Sequence, residues 1–144
     1  MALPIDFITR TRKLLGEEFN ELEAALQTEA PVSIRINEKK GASAPINGTP
    51  VAWSQSGYYL PERLSFTFDP LFHAGAYYVQ EASSMFIEQA IKQYVKTSVK
   101  CLDLCAAPGG KSTHLLSLLP EGSLLVSNEV IRSRSNILAE NIAK

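Results

Sequence analysis

The residues with the clearest chemical potential form a loop of mostly small residues, Cys105-Ala-Ala-Pro-Gly-Gly-Lys111. Gly109 and Gly110 can adopt positive φ, and small side chains beside them leave room for a ligand to approach the backbone closely. Glu129 follows nineteen residues after Gly110. A carboxylate at that spacing is placed to accept hydrogen bonds from the two hydroxyls of a ribose. The pattern indicates a nucleotide-type ligand, although a plain turn at a helix start would look similar.

The segments around this loop alternate between strand and helix patterns. Residues 99–104 are typical of a buried strand, and residues 111–119 of a helix. A second strand is predicted over residues 124–128, and an amphipathic helix over residues 131–142. This order predicts a right-handed parallel βαβα unit. Ligands bind beyond the carboxyl ends of such strands, which is where the loop lies.

The first half of the chain has a different character, with two helices and several short strands. Its predicted elements are helices over residues 4–15 and 17–27 with Gly16 between them, strands over residues 32–37, 51–53 and 58–60, and a hairpin turn at Asn47-Gly48. A further helix with a wide apolar face is predicted over residues 81–95. We therefore expect an α/β protein with a small N-terminal α+β domain over residues 1–75 and a second domain over residues 76–144.

The composition is that of a globular protein, with 144 residues, 45% of them hydrophobic and 20% charged. A formal net charge of −1 does not by itself indicate nucleic-acid binding. The two cysteines are too few for a disulfide scaffold. Since the chain contains neither a long apolar run nor a signal-peptide pattern, we expect no membrane association and a cytoplasmic location.

Several motifs together resemble one known family, the RNA cytosine-5 methyltransferases or Nol/Nop/Sun proteins. The segment Asp103-Leu-Cys-Ala-Ala-Pro-Gly-Gly-Lys111 resembles the S-adenosylmethionine loop of that family, and Tyr78-Val-Gln-Glu-Ala-Ser-Ser-Met-Phe86 resembles the segment upstream of it. An acid-x4-Arg-x3-Leu-x2-Asn pattern is matched by Glu129, Arg134, Leu138 and Asn141. Similarity to the bacterial ribosomal-RNA branch is carried by residues 31–37, Trp53, residues 57–60 and residues 69–75.

The resemblance implies that residues 76–144 are the first half of a Rossmann-like domain that binds S-adenosylmethionine. The whole protein is expected to methylate cytosine at carbon 5 in RNA, ribosomal rather than transfer RNA. Asp103 is expected to order the loop, and Glu129 to hold the ribose hydroxyls. The implied cofactor-binding residues are Cys105, Ala106, Ala107, Pro108, Gly109, Gly110, Lys111 and Glu129.

The chain departs from the family in its cysteines. In the family a thiolate adds to carbon 6 of cytosine and a second cysteine helps to release the product, both from Pro-Cys and Cys-Ser motifs that these 144 residues lack. Cys101 is expected to be a buried structural thiol and Cys105 a residue of the cofactor loop. We therefore expect an N-terminal portion with no catalytic residue, inactive alone and self-associating through unpaired sheet edges.

Two other functions fit parts of the sequence. A P-loop for a nucleoside triphosphate would require glycine where Cys105 stands, although the strand, Lys111-Ser112 and the helix fit. A noncatalytic RNA-binding module could use a basic patch formed by Arg10, Arg12, Lys13, Arg35, Lys39 and Lys40. His73 and His114 have no metal-ligating partner at a suitable spacing, so we expect no metal site and place His114 at a surface or helix edge.

Overall fold

A computed structural model describes residues 3–45 and 47–144. The helices within them are α1 (Ile5–Leu15), α2 (Phe19–Gln27), α3 (Pro70–His73), α4 (Ile87–Tyr94), α5 (Gly110–Leu118) and α6 (Arg132–Ala143). The strands within them are β1 (Val32–Ile36), β2 (Thr49–Pro50), β3 (Gly57–Leu60), β4 (Tyr77–Val79), β5 (Lys100–Asp103) and β6 (Leu124–Ser127). Contacts divide the chain into two compact units, Met1–Pro31 and Val32–Lys144.

The first unit is a pair of helices joined by a tight reversal. The two predicted helices are confirmed as α1 and α2, and Gly16, with φ 57°, ends α1 as predicted. Arg12 near the end of α1 lies 4.6 Å from the ring centroid of Phe19. This cation–π contact and the 3.9 Å pair between Arg12 and Glu23 stabilise the reversal.

The second unit begins with an antiparallel sheet. In the described part of the chain it has four strands in the order β2-β3-β1-β4. Strand β1 is central, since Ile34 pairs with both Tyr58 and Val79. The predicted strand is confirmed, but the alternating pattern of residues 32–37 is typical of a half-buried strand and that expectation is wrong. Four of the five residues of β1 are buried because neighbouring elements cover both of its faces. Its apolar face forms a core in which Ile34, Ile36 and Phe66 are buried.

Two predictions about the connections of this sheet are wrong. Residues 51–53 form a turn rather than a strand, and the Asn47-Gly48 turn does not join paired strands. The hairpin lies between β2 and β3, where the Val51 N–H donates to the Gly57 carbonyl at 2.9 Å. Val51 packs against Ala82 and Met85, which explains why an apolar residue occupies this turn. The local sequence pattern does not reveal that contact.

The βαβα unit is confirmed. Strands β5 and β6 are parallel, with Asp103 opposite Ser127, and α5 lies between them in sequence. Leu102, Leu124 and Val126 point to the opposite sheet face from Asp103 and Ser127, and they are 57%, 55% and 50% exposed. One face of this sheet is therefore largely bare in the structure.

The contact-based division differs from the predicted one. Strand β4 lies after residue 75, yet it pairs with β1 and completes the first sheet. The division of the chain into domains of residues 1–75 and 76–144 stays a prediction.

Helix α4 is preceded by a 3-10 turn over Ala82–Phe86, and together they occupy most of the predicted helix over residues 81–95. The wide apolar face is largely open, with Phe86 and Tyr94 exposed by 59% and 76%. The buried residues of this segment lie on another face, and they are Ala82, Met85 and Glu88. No helix in residues 3–45 and 47–144 has the length and apolar character needed to cross a bilayer.

Glu88 and His114 form a buried polar pair between α4 and α5. Glu88 Oε2 lies 3.2 Å from His114 Nε2 and accepts a 2.7 Å hydrogen bond from Ser54 Oγ. The prediction that His114 lies at a surface or edge is wrong, because its side chain is fully buried. Burial and the nearby Arg35 charge lower the pKa of His114 to about 4. The imidazole is therefore neutral at pH 7 and donates from Nε2 to the carboxylate, which leaves Nδ1 unpartnered among the described residues.

The pair predicts acid sensitivity. Unfolded His114 titrates near 6.5 and folded His114 near 4, so between these values the unfolded state binds the extra proton and stability falls with falling pH. Between pH 7 and pH 5 the free energy of unfolding should decrease by roughly 2 kcal/mol in urea titrations. His114→Gln should flatten this dependence, whereas His73→Gln, at an exposed position, should retain it. An equally steep dependence in His114→Gln would contradict the assignment.

Candidate cofactor site

Asp103, the last residue of β5, holds the following loop in place by hydrogen bonds. Its Oδ1 accepts a hydrogen bond from the Cys105 N–H at 3.3 Å, and its Oδ2 accepts one from the Ser112 hydroxyl at 2.7 Å. Ser112 is fully buried and also accepts from Ser127 Oγ at 3.1 Å. The prediction that Asp103 orders the loop is confirmed. One carboxylate thus joins the end of β5, the loop and the first turn of α5.

The carbonyl side of the loop is held by helix α6. Arg134 Nη2 donates to the Ala107 carbonyl at 2.7 Å, and Asn141 Nδ2 donates to the Pro108 carbonyl at 2.8 Å. Between these two residues Leu138 is buried against the alanines of the loop. Residues 134, 138 and 141 share one helix face, which is the physical reason for their spacing in the sequence pattern.

The opposite side of the loop presents backbone N–H groups. In the Pro108–Gly109 peptide the N–H points away from the carbonyl that Asn141 holds. Gly109 has φ 115°, a conformation that an L side chain rarely adopts. Within the described residues, the N–H groups of Gly109, Gly110 and Lys111 have no hydrogen-bond acceptor. They form the positive end of α5, which favours a negatively charged or strongly accepting ligand group.

Glu129 is connected to the loop through Arg134. Its side chain is 5% exposed, and Oε2 lies 3.3 Å from Arg134 Nη1. Its Oε1 accepts a hydrogen bond from the Ile131 N–H at 2.9 Å. A carboxylate offers about four lone-pair sites, so these two contacts leave acceptor capacity for further donors. The structure therefore brings Glu129 and the predicted loop into one hydrogen-bonded assembly.

A second support of the loop was missed by sequence reasoning. Thr113 Oγ1 donates to the Gly109 carbonyl at 2.8 Å and accepts from Arg35 Nη2 at 2.7 Å. Arg35 is only 4% exposed, so its predicted place in a surface patch is wrong. Tyr78 adds a close contact, because a Cβ on Gly110 would lie 3.1 Å from its Cε1. A threonine four residues after Gly109 in a predicted helix was the available signal.

The remaining predicted residues lie at the edge of this assembly. Cys105 is exposed. Cys101 lies in β5 as predicted, but it is half-buried rather than buried, because it faces a cavity of about 230 Å³. Lys111 is exposed and lines the same cavity beside Asp103.

The geometry disfavours a triphosphate site. A P-loop uses the hydroxyl of the residue after its lysine to bind Mg²⁺. Here that residue is Ser112. Its buried hydroxyl donates a hydrogen bond to Asp103 and is not directed toward a ligand. Across the residues that the structure describes, no group of three or more His, Cys, Asp or Glu side chains could hold a metal ion.

Comparison with protein families adds independent evidence. Residues 3–82 match the model described as the N-terminal domain of the 16S rRNA methyltransferase RsmF. Residues 93–144 match the model described as 16S rRNA methyltransferase RsmB/F. The chain belongs to the RsmF family. The predicted resemblance to the bacterial ribosomal-RNA branch is thereby confirmed.

Relatives of this RsmF-family chain carry the same description. It is 32% identical over 160 residues to ribosomal RNA small subunit methyltransferase F of Vibrio cholerae, covering 100% of this chain and 33% of the relative. It is 30% identical to the protein of that name from Escherichia coli O1:K1, covering 98% and 33%. The chain therefore spans about one third of the length of these curated relatives.

Solved structures support the fold of the RsmF-family chain. A methyltransferase homologue from Pyrococcus horikoshii superposes with a TM-score of 0.78 at 28% identity, covering 99% of this chain and 49% of that one. The crystal structure of PH0851 superposes with a TM-score of 0.76 at 22% identity, covering 97% and 33%. The mixed α/β architecture predicted from the sequence is confirmed.

The contacts of Arg134 in this RsmF-family chain predict a stability effect. Arg134→Met should leave the Ala107 carbonyl without its donor and the nearly buried Glu129 without its cation, and should lower the free energy of unfolding by about 1–3 kcal/mol in urea titrations. Arg132→Met is the matched control, since the exposed Arg132 side chain makes no hydrogen bond or ion pair within the described residues. Equal stabilities for the two variants would show that Arg134 does not hold the loop.

Proposed function

We propose that this chain is the N-terminal part of a cytoplasmic RNA (cytosine-5) methyltransferase that acts on ribosomal RNA, and that it carries the first part of the S-adenosylmethionine-binding domain. Residues 1–75 would form its N-terminal domain and residues 76–144 the first part of its cofactor domain. The observation that carries the proposal is the loop of residues 105–111. Helix α6 binds its Ala107 and Pro108 carbonyls, while within the described residues the N–H groups of Gly109, Gly110 and Lys111 have no acceptor. The names of the relatives support a methyltransferase with a ribosomal RNA substrate.

The donor set suits S-adenosylmethionine. The free N–H groups of Gly109, Gly110 and Lys111 match the carboxylate of its methionine portion, because both hydrogen bonding and the positive helix end favour an anion there. The remaining acceptor sites of Glu129 match the two ribose hydroxyls. Ala106 and Ala107 add no bulk to the loop beyond their methyl groups. When bound, S-adenosylmethionine supplies a methyl group activated by its sulfonium centre.

Neither cysteine of this chain is proposed as a nucleophile. Cys105 belongs to the proposed cofactor loop, and Cys101 lies within β5. The role of the described residues is to bind and orient the cofactor, and the attacking thiol that the family resemblance implies would come from a Pro-Cys or Cys-Ser motif. These 144 residues contain neither motif.

Glu129 tests the cofactor assignment. In the full-length gene product, Glu129→Ala should weaken S-adenosylmethionine binding by about 1–3 kcal/mol, or 5–150-fold, measured by calorimetry. Glu140→Ala, which removes an exposed acid from α6, should bind as the wild type does.

A cofactor analogue sharpens this test. The 2′-deoxy analogue of S-adenosylmethionine should bind the wild type more weakly than S-adenosylmethionine does. Glu129→Ala should bind the two ligands with nearly equal affinity, because the group that reads the hydroxyl is gone. An undiminished preference for the 2′-hydroxyl in Glu129→Ala would remove Glu129 from the ribose site.

The 144-residue chain alone is expected not to methylate RNA. It lacks the cysteine motifs of the family, and Leu102, Leu124 and Val126 leave one face of its parallel sheet exposed. We expect no transfer of tritium from methyl-labelled S-adenosylmethionine to ribosomal RNA, and self-association in light scattering through the bare face and open edges. Methyl transfer by a monomeric chain that is lost on Cys101→Ser or Cys105→Ser would refute this.

A further inference from the structure

A second cavity lies within the unit Val32–Lys144, between the end of β1 and helices α5 and α6. Its volume is about 410 Å³, and Arg35, Lys39 and Lys40 are among its lining residues. Among the described residues that line it, none has an acidic side chain. The side chains of its described lining therefore carry positive charge and no negative charge.

Arg35 supplies the innermost charge. Its Nε donates to Gln80 Oε1 at 3.0 Å and its Nη2 to Thr113 Oγ1 at 2.7 Å, both neutral partners. In the part of the chain that is described, Nη1 makes no hydrogen bond and no carboxylate lies within 4.0 Å of the guanidinium. A buried cation without an anionic partner is costly. Burial accordingly lowers the pKa of Arg35 to about 10.

Lys39 and Lys40 supply the outer charges. Both lie on the 3-10 turn Glu38–Lys40 that directly follows β1, and both are exposed. Lys39 Nζ donates to the Leu116 carbonyl at 3.3 Å, and Lys40 Nζ donates to the Ala74 carbonyl at 2.9 Å. Each ammonium has three donors, so each keeps donors for a ligand. Together with Arg35 they line the cavity with positively charged groups that keep hydrogen-bond donors for a ligand.

The position of the cavity relates it to the proposed cofactor loop. Thr113, which lines the cavity, donates to the Gly109 carbonyl, and Tyr78 lies between the cavity and Gly110. The cavity therefore lies one hydrogen bond away from the loop, on the side of its carbonyl groups.

We propose that this cavity binds a backbone phosphate of the RNA substrate, with Arg35, Lys39 and Lys40 as its ligands. This inference rests on the proposed function and adds to it the place where the RNA backbone is held. Contacts of lysine and arginine with phosphate give affinity that depends on salt and not on base sequence.

The test uses Lys39→Gln/Lys40→Gln in the full-length gene product. The exposed lysines are the sites of choice because Arg35 also joins β1 to α5 and its loss would disturb folding. Lys96→Gln/Lys100→Gln removes the same charge from exposed positions outside the cavity and is the matched control. Binding of a 16S ribosomal RNA transcript is measured by anisotropy over a range of salt concentrations, and S-adenosylmethionine binding by calorimetry.

We expect Lys39→Gln/Lys40→Gln to bind the transcript about tenfold more weakly at 0.1 M salt, with a salt dependence reduced by roughly one to two contacts. Cofactor affinity should stay unchanged in both variants, and RNA affinity unchanged in the control. If the wild type binds S-adenosylmethionine and RNA but the two variants bind RNA equally, the phosphate site is wrong while the proposed function stands. If the wild type does not bind S-adenosylmethionine, the proposed function itself fails.

A last arm separates RNA from a free anion. Inorganic phosphate alone is titrated into both variants and the wild type by calorimetry. Tight phosphate binding that Lys39→Gln/Lys40→Gln abolishes, with RNA affinity unaltered, would overturn the RNA assignment. Weak phosphate binding combined with the loss of RNA affinity supports it.

Discussion

The carboxylate of Glu88 is buried, and it accepts hydrogen bonds from the turn between β2 and β3, from α5 and from Lys92 on its own helix. Ser54 Oγ and the Gln55 N–H reach it from the turn between β2 and β3, and His114 reaches it from α5. Burial opposes the charge, but hydrogen bonds from Lys92, Ser54 and the Gln55 N–H outweigh burial, and the pKa of Glu88 lies below its ordinary value. Removing one hydrogen-bond partner of a buried charged group leaves that group unsatisfied, which costs about 1–3 kcal/mol or more. The antiparallel sheet and helices α4 and α5 are joined through this group.

The loop after β5 shows how a short segment can be rigid and yet available to a ligand. Arg134 and Asn141 bind two of its carbonyls from one side, and the Asp103 carboxylate accepts a hydrogen bond from the Cys105 N–H at its start. A peptide carries its donor and its acceptor on opposite sides, so fixing the carbonyls leaves the N–H groups directed elsewhere. Preorganised donors of this kind need little rearrangement on binding.

Local sequence patterns predicted the helices and strands better than they predicted the tertiary contacts of the residues within them. The βαβα unit follows from period and loop chemistry alone, and Gly109 follows from the need for a positive φ. The turn at Val51 was taken for a strand because apolar residues there serve a contact with Met85, far along the chain. His114 and Arg35 were placed at the surface because a polar residue in an apolar stretch does not reveal the partners that bury it. In the site, spacing identified Glu129 and the family resemblance identified Arg134 and Asn141, whereas the Arg35–Thr113 contact spans 78 residues and has no local signature.

That contact has an electronic consequence for the loop. The guanidinium of Arg35 donates to Thr113 Oγ1, and the same hydroxyl donates to the Gly109 carbonyl, which also accepts the Thr113 N–H at 2.8 Å. Hydrogen bonds in series polarise one another. The Gly109 carbonyl and the Gly110 N–H belong to one peptide group, so electron density drawn toward that oxygen leaves the amide proton more positive. The buried guanidinium of Arg35 thus makes the Gly110 N–H a stronger hydrogen-bond donor at the start of α5, although Arg35 itself does not contact that N–H.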